Sequence, residues 1–431
     1  MINIAVFGLG FVGLPLSLSF AINKCNVWGV DIDKHLIDEL NNGITHHLEV
    51  YKEKTVQDIL NEELASGRFQ AYSDGLAVMS QCTVIIITVG IPVQGNHINL
   101  EHLTDACRLI GHGLKPNDLV LVRSTVVPGM TRKVILPILE KTSGLKAGAD
   151  FYLAYCSERI AEGKAFDEFE NMPVILAGID RESTEQAVKL LSVITRAPIT
   201  CAKQMEEVET AKLLENISRD VNIAMANEFA RFCNSINVNI FEVIKAANTH
   251  TRVNILTPGP GVGGYCLPNA LPYLEALARE QGLDLPLLQT ARQVNEDMPG
   301  YVSDLVLRHL PVSPAKAKVA VLGLAMKDYS NDDRLSPAFK VIKTLQDAGC
   351  EVKVFDSAVT TQYPFKVDNL EEAIAGAHAL LILALQKDID YQDLNYFRKF
   401  MYQEAAPLIV DIKNLYHEQQ VLSQGFQLQK L

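Results

Sequence analysis

The chain has 431 residues, 48% of them hydrophobic and 21% charged, which excludes collagen, an intrinsically disordered chain and a disulfide-stapled miniature. Lys and Arg number 39 against 51 Asp and Glu, a formal charge of −12. That balance argues against a general nucleic-acid or anionic-membrane binder, though a local basic pocket for a phosphate is still allowed. At roughly 150 residues per domain, the length suggests about three domains.

The opening MINIAVFGLGFVGLPLSLSF is apolar, but no basic segment precedes it and glycines interrupt it, so a secretory leader is not expected. No apolar run is long enough to span a bilayer. Short apolar runs at residues 4–8, 27–30, 84–89, 119–122 and 151–154 read as buried strands, separated by segments long enough for crossover helices. The alternation predicts a parallel sheet covered on both faces, closed by residues 198–201. Residues 206–233 hold neither Pro nor Gly and are helical in spacing, which predicts one helix about 42 Å long, suited to bridging two domains. Leu214, Ile217, Val221 and Ala224 form its apolar stripe; Glu209, Lys212, Asn216, Arg219 and Asn227 form a polar one. The polar stripe is either a solvated face or a functional one. The Gly/Pro-dense TPGPGVGGYCLP at 257–268 fits neither a helix interior nor a central strand. More helix follows through residue 295. PVSPAK at 311–316 reads as a linker, and strands at 318–324, 351–355, 379–383 and 407–410 mark a second α/β region.

Three patterns carry chemistry. Gly8, Gly10 and Gly13 form G-x-G-x-x-G between a strand and a helix: a tight turn, a close approach to a pyrophosphate, and helix–strand packing. Asp31 ends the next strand, where a carboxylate accepts ribose hydroxyl protons and repels a 2′-phosphate, which favours NAD over NADP. Cys266, inside GVGGYCLP, is either a thiol nucleophile flanked by backbone amides or a buried, inert cysteine. Lys212 and Asn216, four residues apart, share a helix face and could form an oxyanion site. The eight cysteines are scattered with no metal-ligand spacing, so no metal is expected; they fit free thiols in the cytoplasm.

Taken together, GLGFVGLPLS (8–17), VDID (30–33), RSTVVPG (123–129), SERIAEG (157–163), ETAKLLENISRDVNIAMANE (209–228), RVNILTPGPGVGGYCLP (252–268), VLGLAMK (321–327) and DDRLSPA (332–338) resemble the nucleotide-sugar 6-dehydrogenases, the group of UDP-glucose, UDP-N-acetylhexosamine and GDP-mannose dehydrogenases. The form PGPGVGG and the segment NEDMPGYV at 295–302 lean toward the N-acetylhexosamine branch.

The resemblance implies an α/β chain of two Rossmann-like domains joined by a long central helix and a helical dimerisation region. The expected boundaries are 1–203 for NAD binding, 204–310 for the central helix and catalytic cysteine, and 311–431 for the nucleotide sugar. It implies oxidation of a UDP-sugar C6 alcohol to the uronate in two hydride transfers to NAD. Cys266 would be the nucleophile, with Lys212 and Asn216 as oxyanion donors. Glu158 would be, or assist, the general base, and Thr125 would position water. Gly8, Gly10, Phe11, Val12, Gly13, Asp31, Val89, Gly90 and Thr125 would line the cofactor. Glu158, Arg159, Lys212, Asn216, Gly263, Lys327 and Arg334 would meet the substrate, with Arg252 reaching across a homodimer interface. For Arg334 the simpler alternative is an ion pair with Asp332 or Asp333.

Several positions depart from the family pattern. Ala270 stands where an aspartate is usual, four residues beyond Cys266; Tyr265 replaces His or Ser, Ile91 a threonine, and Ser157 a proline. The missing carboxylate leaves open a full oxidation supported by Glu158 and Lys212, an incomplete or non-net oxidation such as that of an NAD-retaining epimerase, or binding without turnover.

Overall fold

The computed structural model describes residues 1–94, 97–161 and 163–431. Glu162, within the SERIAEG motif, lies outside the described residues. The chain divides into two compact units: Met1–Glu215 with Pro272–Asp284, and Asn216–Leu271 with Leu285–Leu431.

The first unit is built on an eight-stranded sheet: β1 (Asn3–Phe7), β2 (Asn26–Val30), β3 (Phe69–Tyr72), β4 (Val84–Ile87), β5 (Leu119–Val122), β6 (Tyr152–Cys156), β7 (Val174–Gly178) and β8 (Ile199–Cys201), in the order β8-β7-β6-β5-β4-β1-β2-β3. The central strands VIII and LVLV are buried along their whole length, which is why they read as unbroken apolar runs rather than alternating ones. Strands β3 through β6 pair in parallel, while β6 and β7 pair antiparallel. Neither β3, FQAY, nor β7, VILAG, is expected from the sequence; each is only four or five residues long, too short to show a clear period.

The second unit carries a five-stranded parallel sheet: β9 (Lys318–Leu322), β10 (Glu351–Phe355), β11 (Ala379–Ile382), β12 (Leu408–Asp411) and β13 (Gln427–Lys430), in the order β10-β9-β11-β12-β13. Both sheets start alike. Gly8, at φ +96°, follows β1, and Asp31 after β2 accepts the Leu9 N–H at 2.7 Å. Gly323, at φ +98°, follows β9, and Asp356 after β10 accepts the Leu324 N–H at 2.7 Å. The second copy is closed, however. Asp356 is buried and also accepts the N–H groups of Ala325, Ala358 and Val359, which leaves little of its carboxylate for a ribose.

The long helix (Met205–Ser235) contains the predicted one and extends it slightly at both ends. Its predicted faces are partly inverted. Glu209, Lys212, Asn216 and Asn227 are buried, while Leu214 is 64% exposed, so Leu214 does not belong to a core stripe. Helices Ala270–Glu280 and Pro286–His309 follow the Gly/Pro segment, which itself is irregular as expected. The 311–316 stretch is a turn containing a short 3-10 segment at Pro314–Lys316. Among the described residues no helix is long and apolar enough to cross a membrane.

Candidate active site

In the first unit, the carboxyl ends of β2, β1, β4, β5 and β6, adjacent in that order, carry Asp31, the Gly8 turn, Thr88–Gly90, Thr125 and Glu158 respectively. A doubly wound sheet binds ligands beyond the carboxyl ends of its strands, so these residues, all but Thr88 expected from the sequence, stand along the edge where such a site belongs. Gly8 turns left-handed, and a Cβ there would sit 2.9 Å from the Thr88 carbonyl, so glycine serves both the turn and the close approach. Gly13 opens helix Gly13–Ile22, and a Cβ on it would lie 1.7 Å from the Gly8 carbonyl. A Cβ on Gly10, by contrast, would meet no protein atom within 4 Å.

The helix has no side-chain cap; its Leu14 N–H donates to the Gly10 carbonyl at 3.2 Å, and Pro15 carries no N–H. Asp31 uses one oxygen for Leu9 and the other for the Asp33 N–H at 3.0 Å, and remains only half-buried. Open space at Gly10, an uncapped helix start and a reachable carboxylate fit the diphosphate and ribose of a dinucleotide. Phe11 is partly exposed and packs on the His47 ring, with centroids 5.4 Å apart.

Thr88 was not among the expected residues. Its hydroxyl donates to the Phe7 and Gly8 carbonyls at 2.9 and 2.7 Å, which ties the glycine turn to the end of β4. Beyond it, the buried Tyr273 hydroxyl donates to the Ile91 carbonyl at 2.6 Å. Nothing in the local sequence pattern announces either bond.

Glu158 is buried, and its carboxylate is committed. One oxygen accepts the Arg159 and Ile160 N–H groups at 2.8 and 3.0 Å, and the other pairs with Arg123, itself only 4% exposed. The Arg123 guanidinium also lies 5.5 Å from the Phe169 ring centroid. Arg159 pairs with Glu215 at 2.7 Å and donates to the Pro173 carbonyl at 2.8 Å. Ser157–Ile160, together with Phe169 and Ile194, line a small, half-open pocket.

The second unit carries the cysteine. Six of the eight thiols are buried; only Cys201 and Cys266 are exposed. Burial pushes Cys156 up to about 11, and Cys82 and Cys107 up to about 12, which leaves those thiols protonated and inert. The inert-cysteine alternative therefore fits most of the set but not Cys266.

The loop around Cys266 is held from two sides. The Asn216 amide donates to the Cys266 carbonyl at 3.1 Å, so part of its donor capacity serves the loop backbone. Gly264 N–H donates to the Arg334 carbonyl at 3.0 Å. A Cβ on Gly263 would sit 2.8 Å from the Leu335 carbonyl, so only glycine allows this approach. The same loop is gripped upstream. Asn222 donates to the Asn254 carbonyl (2.7 Å) and accepts the Leu256 N–H (2.8 Å), and Asn227 accepts the Gly259 N–H (2.9 Å). Asn227 in turn donates to Asn295 at 2.9 Å, and Asp220 pairs with Arg292 at 2.8 Å. The polar residues of the long helix thus hold the Gly/Pro segment; the signal was their helical spacing without Glu/Lys pairing.

Arg334 is a two-point ion pair with Asp332, at 2.7 and 2.6 Å, and its guanidinium lies 5.1 Å from the Tyr265 ring centroid. The ion-pair alternative describes this arrangement. Lys327 is half-buried, and Arg252 is exposed on the loop after helix Ile240–Ala247. Ala270 is buried at 1% exposure and brings no titratable group to the start of its helix.

Comparison with known proteins agrees along the whole chain. Residues 2–194 match the NAD binding domain of the UDP-glucose/GDP-mannose dehydrogenase family, residues 206–297 its central domain, and residues 320–418 its UDP binding domain. The chain is 35% identical to the UDP-N-acetyl-D-mannosamine dehydrogenase of Pyrococcus horikoshii, over 96% of each protein. The solved structure of the UDP-D-ManNAc dehydrogenase of that organism superimposes with a TM-score of 0.89, at 34% identity, covering 100% of this chain and 99% of the other. The UDP-N-acetyl-mannosamine dehydrogenase Cap5O from Staphylococcus aureus superimposes with a TM-score of 0.84, at 31% identity, covering 99% and 98%. Its glycine turn, its cysteine loop and these matches agree: the chain belongs to the UDP-glucose/GDP-mannose dehydrogenase family and is an NAD-dependent oxidoreductase of nucleotide sugars.

Proposed function

We propose that the chain oxidises the C6 alcohol of a UDP-N-acetylhexosamine, with UDP-N-acetyl-D-mannosamine the first candidate, to the corresponding uronate. The observation that carries this reading is Cys266: an exposed thiol on a glycine-built loop in a chain whose other cysteines, Cys201 apart, are buried. The relatives' names supply the sugar.

NAD, bound at the Gly8–Gly13 turn and Asp31 and lined by Phe11, Val12, Val89, Gly90 and Thr125, supplies the hydride acceptor for each oxidation. Thr125 positions the reacting hydroxyl and water, and Glu158, paired with Arg123, assists removal of the hydroxyl proton through water. The Cys266 thiolate adds to C6 of the aldehyde, forming a C–S bond, and the Lys212 ammonium with the remaining Asn216 donor stabilises the oxyanion. Loss of the second hydride leaves a thioester. Water cleaves its C–S bond, releasing the carboxylate and restoring the thiolate. The sum consumes one water and two NAD+, and releases two NADH and three protons. Arg159, Gly263, Lys327 and Arg334 contact the UDP-sugar, the last by exchanging Asp332 for a phosphate oxygen.

The chain acts as a homodimer in this reading. Met225, Phe229 and Phe232 on the long helix, and Ile236 just past its end, are each at least 40% exposed, recur at helical spacing and form an apolar stripe. A second copy with the same stripe covers it by two-fold symmetry, and Arg252 reaches the neighbouring substrate. A thiol nucleophile is kept reduced in the cytoplasm, which supports that compartment for the enzyme in this reading. Following NADH formation with UDP-N-acetyl-D-mannosamine, other UDP-N-acetylhexosamines, UDP-glucose and GDP-mannose tests the reading. UDP-N-acetyl-D-mannosamine is expected to give the highest kcat/KM; no NADH from any of them would overturn it.

A further inference from the structure

We propose that Glu209 is a positioning residue for the oxidation: it fixes the segment that carries Thr125 relative to Lys212, one helical turn further along. This rests on the reading in which Thr125 and Lys212 serve the reaction.

Glu209 is 1% exposed, and burying a carboxylate is costly unless its oxygens are satisfied. Both are used on one target. One accepts the N–H of Gly129, and the other accepts the N–H of Thr131 at 3.0 Å. Thr131 starts a helical segment, Thr131–Ile135 continued by Leu136–Ser143, whose first N–H groups suit a negative charge. The Glu206–Arg132 pair at 2.7 Å adds a more exposed contact between the same two elements.

The other end of the segment is fixed too. The N–H groups of Arg123 and Ser124 both donate to the Ile87 carbonyl, at 2.8 and 3.1 Å. Thr125, half-buried, therefore lies on a short span held by β4 at one end and by Glu209 at the other. Thr88, next to Ile87, bonds the Gly8 carbonyl. Hydrogen bonds at both ends, joined by the short stretch of backbone that carries Thr125, thus link the dinucleotide turn to the helix bearing Lys212. Lys212 is three residues beyond Glu209, a rise of about 4.5 Å.

The test is a double-mutant cycle on the full-length enzyme, with kcat, KM and NAD affinity measured for Glu209→Gln, Thr125→Val and the pair. Gln keeps the shape but turns an NH2 toward a backbone N–H. Glu209→Gln is expected to lower kcat about 10–100-fold with NAD affinity changed less than about threefold, the scale of an ångström-level misplacement. If Glu209 acts through Thr125, the pair is no worse than about threefold below the weaker single variant. Glu209→Asp, which keeps the charge one methylene short, should fall between wild type and Gln and serves if Gln fails to fold. An unchanged kcat, or losses that multiply, overturns the proposal while Thr125 keeps its role. A silent Thr125→Val removes the role of Thr125 itself, and the proposal with it.

Discussion

Replacing Arg123 by Met would leave the Glu158 carboxylate buried beside an uncharged side chain. Arg123 and Glu158 are 4% and 8% exposed, so water cannot readily take the place of the guanidinium. Removing one partner of a buried pair costs about 3–5 kcal/mol. Here the Arg159 and Ile160 N–H groups still satisfy one oxygen of Glu158, which sets the expectation near the lower end, about 3 kcal/mol. With a urea m-value of about 2–3 kcal/mol/M for a unit of this size, the midpoint should fall by about 1–1.5 M. The only tryptophan of the chain, Trp28, lies on β2, so its fluorescence reports on this unit alone. The pair Arg123→Met/Glu158→Gln removes both charges and should recover to within about 0.5 M of wild type. Arg181→Met breaks an exposed pair with Glu185 and should move the midpoint by less than about 0.3 M. A shift as small as that for Arg123→Met, or a double variant no better than the single one, would refute the reasoning.

Gly10→Ala and Gly13→Ala should differ. Both are expected to weaken NAD binding about 10–100-fold in calorimetry, but only Gly13→Ala, with its Cβ 1.7 Å from a backbone oxygen, should also lower the melting temperature. His47 gives a pH dependence. Burial, then the neighbouring His46, pushes its imidazole from 6.5 down to about 4, so its contribution is complete above pH 6.5 and is lost as pH falls toward 4. The stability difference between wild type and His47→Gln should change by up to about 3 kcal/mol across that window, read from urea unfolding at several pH values; a constant difference would contradict it. Phe229→Glu with Phe232→Glu places charges on the exposed stripe of the long helix and should yield monomers in sedimentation, whereas an unchanged dimer would locate the interface elsewhere.

The dinucleotide half of the site was legible because its determinants are local: a strand, three glycines, and Asp31 at the end of the next strand. The cysteine loop was legible as an irregular segment, but whether Cys266 was exposed depended on contacts with residues 326–337, far along the chain. The long helix misled in one respect. Leu214 and Phe232 face outward while Glu209 and Asn227 face inward, because this helix buries polar groups that hold loops and leaves an apolar stripe uncovered within one chain. Spacing alone gives the faces but not what each meets. Arg123, Thr88 and Tyr273 were missed for the same reason. Each acts through contacts with residues distant in sequence, and a lone Arg, Thr or Tyr carries no periodic signal.

The central claim is a four-electron oxidation that passes through the Cys266 thiol. Its most direct test is the number of NADH formed per UDP-N-acetyl-D-mannosamine consumed, by wild type and by Cys266→Ala. Two NADH and a uronate from wild type, with no uronate from the variant, are predicted. One NADH with an aldehyde released by wild type, or two from the enzyme lacking the thiol, would contradict it.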